Sequence, residues 1–341
     1  MKKLGGFRLN LLLILLSVLL LLVLCTFGSA KLTLPQVLAA ALYRFFHVGE
    51  KVGNHGAIVY LRLMRTLLAY ITGAALSMSG AAMQAVFSNP LADPHILGVS
   101  SGAALGAAIA TIFCAQTTLF GLSTISLFAF IGGLLAALCV LFVARVGGQS
   151  GTTGLLLSGV AMGAFLSAML SGLLALHRED AESVYMWTMG SFSSATSGKV
   201  LLTACVTLVC GIFIYAMSRD MNLLLLGDAQ ALSLGVRVTL LRGLLMTLST
   251  LMTASVVSVS GVIGFVGLMV PHAVRRMTGA DHKRLIPACA FVGGMFLMTA
   301  DTAARSLLSY EIPVGVLTSL LGGPFFLFLL KRSRTGGKRH A

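Results

Sequence analysis

The chain is poor in charge. Only 10% of its 341 residues are Asp, Glu, Lys or Arg, and 10 of them are acidic, whereas a soluble domain carries about 25% charged residues. With 57% hydrophobic residues, this balance excludes the ordinary soluble classes. No GxxxxGK[ST] occurs, so the chain has no Walker loop with which to bind ATP. No paired carboxylates and no Ser/His/Asp grouping can be argued for hydrolysis. The six cysteines (Cys25, Cys114, Cys139, Cys205, Cys210, Cys289) lie in apolar runs without CxxC spacing. They read as small buried hydrophobes, not as a disulfide or metal framework. Asp301 is the sole acid within an apolar run, which leaves little material for a proton or sodium relay.

What is present is a series of apolar runs. Spans are expected at 9–27, 63–86, 95–113, 119–143, 153–176, 200–217, 239–260, 262–278, 286–308 and 314–330, each near the ~20 residues a bilayer needs. The expected fold is an all-α polytopic membrane protein with about ten transmembrane helices, forming one domain over residues 1–341. Lys2, Lys3 and Arg8 followed by an apolar run and Gly28-Ser29-Ala30 resemble a signal peptide. The run exceeds the usual ~7–15 residue apolar core, so an uncleaved first span is expected. Leu22-Val23-Leu24-Cys25 matches a lipobox only loosely, because Leu24 is too large. Leu34 to Phe46 reads as a short surface helix.

With the N-terminus inside, the inner segments hold about twice as many of the 24 Lys and Arg as the outer ones. Both termini are therefore expected in the cytoplasm. The net charge of +14 becomes an inner-face property that needs no nucleic acid. Ser77-Met78-Ser79-Gly80…Pro90 recurs as Ser258-Val259-Ser260-Gly261…Pro271, and the two copies would cross in opposite senses. That pattern suits inverted-topology repeats around a central pathway.

The stretch Gly80 to Gly102 organises the rest. Asn89-Pro90 should end one helix, since the ring disfavours αR at the preceding residue. Asp93-Pro94 should start the next, with Asp as N-cap and Pro at the first position. The turn is too polar for lipid and too uncharged for a free surface loop, which suits backbone buried in protein or lining a cavity.

Four other segments stand out. In Arg219 to Arg242, Asp228 can cap a short helix from Ala229 to Leu234 that Gly235 stops. That segment fits a solvated connector or a docking surface for a cytoplasmic partner. In Gly261 to Pro287, Pro271 is expected to interrupt a span beside His272, a residue more often packed than ligating. Arg275, Arg276, Lys283 and Arg284 there suit anionic headgroups. Arg62 and Arg65, three apart before the second span, join Arg305 on the outer side. They fit snorkelling with an Asp301–Arg305 pair, or a cationic platform for acidic residues of an external partner. Arg178 to Gly190 carries Trp187 and Tyr185, which suit an outer aromatic belt and a short re-entrant helix.

RLMRT (62–66), GAALSMSGAAMQAVFSNPLADPHILGVSSGAALG (73–106), LLLLGDAQALSLGV (223–236), GVIGFVGLMVPHAVRRMTGADHKRLIP (261–287) and ADTAARSLLSYEIPVGVLTSLLGGP (300–324) resemble the FecCD-type permeases. These are transmembrane subunits of ABC importers for ferric siderophores, haem and cobalamin. The resemblance implies ten spans, a dimer with itself or a close paralogue, and a bacterial cytoplasmic (inner) membrane. It implies two ATPase subunits docked at positions matching Gly227, Asp228, Ala231, Leu234 and Gly235, in a coupling loop of about 219–238. ATP and magnesium would sit on those partners, with no cofactor on this chain. An extracytoplasmic substrate-binding protein would dock on Arg62, Arg65 and Arg305, although Met64 stands where the family often has proline. The inner gate would use Asn89, Pro90 and Leu91, with a second gate at Gly151 and Thr152. The family carries a hydroxyl at the first of those two positions; Gly151 departs from it, leaving Thr152. A ferric-siderophore-type chelate is the expected cargo, with haem or cobalamin as alternatives. The rival class, an ion-coupled secondary transporter, would have only Asp301 for its ion site.

Overall fold

The computed structural model describes residues 6–28, 30, 32–46, 53–115, 117–119, 122–146, 152–308 and 310–336. Lys2, Lys3, Ser29, Lys31, Lys51, Gly151, Lys338 and Arg339 lie outside the described residues. The helices are α1 (Gly6–Leu24), α2 (Leu34–Phe46), α3 (Gly53–Val86), α4 (Val99–Phe113), α5 (Thr124–Val146), α6 (Thr152–Leu176) and α7 (Ala181–Thr188). They continue as α8 (Ser197–Ala216), α9 (Ser218–Leu224), α10 (Asp228–Ser233), α11 (Val238–Ser260), α12 (Val266–Thr278), α13 (His282–Ser306) and α14 (Val314–Gly336). Among the described residues, six helices (α3, α5, α6, α8, α11, α13) are long and apolar enough to cross a membrane. Shorter apolar helices cover Arg8–Leu24, Val99–Phe113 and Val314–Phe328. The chain is a multi-pass, almost wholly helical membrane protein. A two-residue hairpin pairs Thr118 with Ser123 and Leu119 with Leu122 before α5, so that span starts later than the apolar run suggests.

Helix α3 is the centre. Of its apolar window 83% is buried, against 6% for α6. At 34 residues it is about 51 Å long at 1.5 Å per residue, and it packs against α13, α11, α12 and α8. Arg62 and Arg65 therefore lie inside this helix, not ahead of it. A bilayer gives little hydrophobic drive between helices, so close backbone approach must hold them. Glycines supply it: a Cβ on Gly73 would meet the backbone of Gly293 in α13, and one on Gly80 would meet the Gly267 carbonyl in α12.

The break expected between the spans 239–260 and 262–278 is present, whereas Pro271 interrupts no helix. Residues 261–265 are non-helical, with Gly261 at φ 72° and Phe265 at φ 68°, and α12 then runs through Pro271. The proline removes one bond to Gly267; that carbonyl already faces Gly80. The two Ser-X-Ser-Gly copies accordingly differ in local structure: Gly80 continues a helix, whereas Gly261 ends one.

Candidate functional site

The ion pairs of the described residues lie at the two ends of the bundle. At one end, α1 finishes beside α3 and α13. Where the helix ends, the carbonyls of Leu24, Cys25, Thr26, Phe27 and Ala30 accept from side chains of the other two helices. Arg62 Nη1 donates to Cys25 O (3.2 Å) and Thr26 O (3.1 Å), and Nη2 to Ala30 O (2.7 Å). Arg305 donates to Phe27 O (3.1 Å) and Leu24 O (3.2 Å). Both guanidiniums thus cap α1, where the helix dipole also favours a cation. Arg65 lies between them. Its Nε and Nη2 grip the Asp301 carboxylate at 3.0 Å, and its Nη1 reaches both oxygens of Glu311 at 3.0 Å. Arg305 stands 3.9 Å from Asp301, so Arg65, not Arg305, is the main partner of the buried acid. The structure brings the three arginines together and occupies them within the chain; Arg62 is only 7% exposed.

Beside this cluster the ends of α7, α11 and α14 meet. Ser191 N donates to Ser260 O (2.8 Å), and the Val314 and Gly315 amides donate to Gly190 O (3.2 Å) and Met189 O (3.1 Å). An open cavity of about 490 Å³ adjoins them, lined by Ser126, Trp187, Ser191, Ser194, Lys199 and Glu311 among others. Lys199 Nζ donates to Ser194 O and Oγ (3.0 and 2.8 Å).

At the opposite end α3 stops after Val86. Ser88 turns left-handed at φ 47°. Asn89 Oδ1 accepts from Leu91 N (2.9 Å), and Asp93 Oδ1 caps one 3-10 turn (Pro94–Leu97) by accepting from His95 N (2.8 Å). The expected Asp-Pro start is present, but it opens that single turn, and Gly98 at φ 74° separates it from α4. His95 Nε2 donates to Ile263 O (3.1 Å) while Nδ1 accepts from Ser100 Oγ. It therefore ties this turn to the interrupted 261–265 segment. Asn89 and Pro90 are exposed and Leu91 half-buried. Thr152 opens α6, half-buried; among the described residues no hydrogen bond joins it to the turn.

The loop that follows α8 lies at this same end. Gly227 (φ 100°) occupies the N-cap of α10, so Asp228 is the first helical residue and not the cap. Gly235 (φ 87°) follows the helix, as expected of a stop signal. Ala231 is fully buried, whereas Leu225, Leu226, Leu232 and Leu234 are about half exposed or more. The loop thus presents four exposed leucines around one buried alanine. Asn222 in α9 accepts from His282 N and Nδ1 (both 2.8 Å) and donates to Asp281 Oδ1 (2.8 Å). That bond holds the Asp281 carboxyl below its ordinary range. His272 stacks edge-on against Phe325, ring centres 5.9 Å apart.

Sequence reasoning missed His95, Arg242 and Glu311, each of which has one partner far away in the chain, at 168, 156 and 246 positions. One signal was available: the residue four after Val86 is Pro90, which has no N–H to offer its carbonyl.

Residues 12–332 match the model of the FecCD transport family. A protein of Helicobacter pylori described as an iron chelatin transport system permease is 40% identical over 322 residues, 93% of this chain and 96% of its own. The hemin transport system permease HmuU of Yersinia pestis is 40% identical over 278 residues, 80% and 83% of the two chains. A solved structure described as a metal-chelate type ABC transporter, inward-facing, superposes with a TM-score of 0.81 at 31% identity, covering 95% of this chain and 99% of that one.

Proposed function

The chain belongs to the FecCD transport family, and we propose that it is the membrane-spanning subunit of an ATP-driven importer that carries a ferric-siderophore-type chelate into the cytoplasm. The observation that carries this reading is the chain-long match to an iron chelatin permease. Haem is the second reading, favoured by a haem permease of equal identity.

In this proposal ten helices cross the bacterial inner membrane (α1, α3–α6, α8 and α11–α14), arranged as inverted repeats with both termini cytoplasmic. Two copies, or a copy and a close paralogue, enclose the pathway. The exposed small residues of α6 (Ala161, Ala164, Ser167, Ala168, Ser171) suit such a helix contact. Two ATPase subunits, which hold ATP and magnesium, dock on Gly227 to Gly235 against the exposed leucines. The turn Asn89-Pro90-Leu91 and Thr152 form the inner gate. An extracytoplasmic binding protein docks at the arginine end. Arg65 is the natural contact there, because its Glu311 partner is half exposed and can yield to a partner's carboxylate, while Arg62 and Arg305 hold α1 in place beneath it.

The test is ATP hydrolysis and uptake by the reconstituted complex, with its binding protein, across ferric siderophores, haem and cobalamin. A ferric siderophore should stimulate both. Stimulation by haem or cobalamin alone would replace the cargo, and uptake that survives an ATPase-dead partner but collapses with an uncoupler would refute the ABC mechanism. Glu311→Gln should change binding-protein affinity while costing under about 1 kcal/mol of stability, since exposed pairs contribute little. An unchanged affinity would remove Arg65–Glu311 from the docking surface.

A further inference from the structure

The end of α3 carries a defect that the chain repairs from a distance. The amides of Phe87, Ser88 and Asn89 donate to Met83, Ala85 and Gln84 (3.0–3.2 Å). The Val86 carbonyl would ordinarily accept from the residue four ahead, but that residue is Pro90. Arg242, in the second turn of α11, supplies the missing donor: its Nε lies 3.1 Å from Val86 O. The same guanidinium turns its other edge to α10. Nη1 and Nη2 bind the two oxygens of Asp228 at 2.7 and 2.9 Å.

One planar group therefore joins the first residue of α10 to the last residue of α3. The geometry needs arginine. Three N–H groups fixed in one fork can hold a carboxylate bidentately and still aim Nε at a carbonyl, which a lysine ammonium cannot do in the same pose. The pair is poor as a stability device, because Asp228 is half exposed and exposed ion pairs are worth about 0–1 kcal/mol. Its value lies in position. Beyond Val86 come Ser88, at φ 47°, and the Asn89-Pro90-Leu91 turn.

Building on the importer reading above, we propose that Arg242 is a positioning residue that relays movement of α10 to the end of α3, and so couples the cytoplasmic partner to the turn at Asn89–Leu91. When α10 shifts, the bidentate grip on Asp228 carries the guanidinium with it. The bond to Val86 O then moves or releases the end of α3. The second bridge from this loop, Asn222 to Asp281 and His282, fixes α9 to the start of α13, so α10 pivots against a held neighbour.

The test needs no identified cargo. Leu91→Cys is introduced into the permease–ATPase complex in lipid, and its labelling by a membrane-impermeant maleimide is followed without nucleotide and with ATP plus vanadate. In the otherwise wild-type background the rate should respond to nucleotide. Arg242→Gln and Arg242→Lys should shrink that response by roughly 2- to 30-fold, the span of coupling effects seen for relay positions, while the ATPase subunit still copurifies. Asp228→Asn breaks the link from its exposed side and should shrink the response similarly, which keeps the test valid if Arg242→Gln folds poorly. A full response in Arg242→Lys or in Asp228→Asn overturns the relay, as does loss of the ATPase subunit from the Arg242 variants. Absence of any nucleotide response in the wild-type background instead overturns the ATP-driven reading.

Discussion

Arg65→Ala is expected to destabilise the protein by about 3–5 kcal/mol, because it leaves one charge of a buried pair without its partner. Asp301 is 1% exposed, and Arg65 supplies its close, two-pronged contact at 3.0 Å. Arg305 cannot replace it: its Nε stands 3.9 Å away and its terminal nitrogens already hold the end of α1. The loss should appear as a fall of about 10 °C in the unfolding midpoint in lipid. Arg65→Met with Asp301→Leu should recover most of it, since well-packed apolar replacement of a buried pair is often neutral. An Arg65→Ala protein within 1 kcal/mol of wild type would show that water or Arg305 neutralises Asp301. The same arrangement predicts that charge reversal at Arg62 or Arg305 abolishes uptake mainly through α1: a carboxylate there would face Cys25, Thr26, Phe27 and Leu24 carbonyls with no proton to give.

These contacts explain which parts of the chain were legible. Apolar runs located the membrane helices, and local chemistry located the turns: Asp93 caps and Gly235 stops where their types demand. The short helix Leu34–Phe46 was readable from one apolar face. The start of α3 was not, because polar residues before the apolar run look like loop. Arg62 and Arg65 are tolerated inside that helix only by partners 32 to 246 positions away. The gap at Gly261 was legible from the apolar runs, but the interruption expected at Pro271 is absent for a related reason. Pro271 is a local signal, but an in-helix proline is tolerated where neighbours accommodate the freed carbonyl, whereas the actual break at 261–265 is tied by His95, 168 positions away. A single sequence records that such groups exist and not what they meet.

Gly80→Val should prevent folding or stable assembly of the bundle. Overpacking usually costs about 1–3 kcal/mol when side chains can move aside. Here the new Cβ meets the backbone carbonyl of Gly267, and a Cβ on Gly267 would in turn meet Pro94 and the Leu76 carbonyl. No rotamer change relieves a clash with backbone on both sides, so the cost should reach or exceed the top of that range. Gly56→Ala in the same helix α3, with nothing within 4 Å, is the matched control. It should be neutral or slightly stabilising, because alanine is the better helix former by about 1 kcal/mol. Yield of monodisperse protein separates the two variants directly. Should Gly80→Val fold, α12 must have withdrawn from α3, and because Pro94 packs on Gly267 the turn from Asn89 to Leu97 would lose its support. Uptake would then fail in a protein of near-normal stability, which would assign Gly80 to the gate and not only to the packing of the bundle.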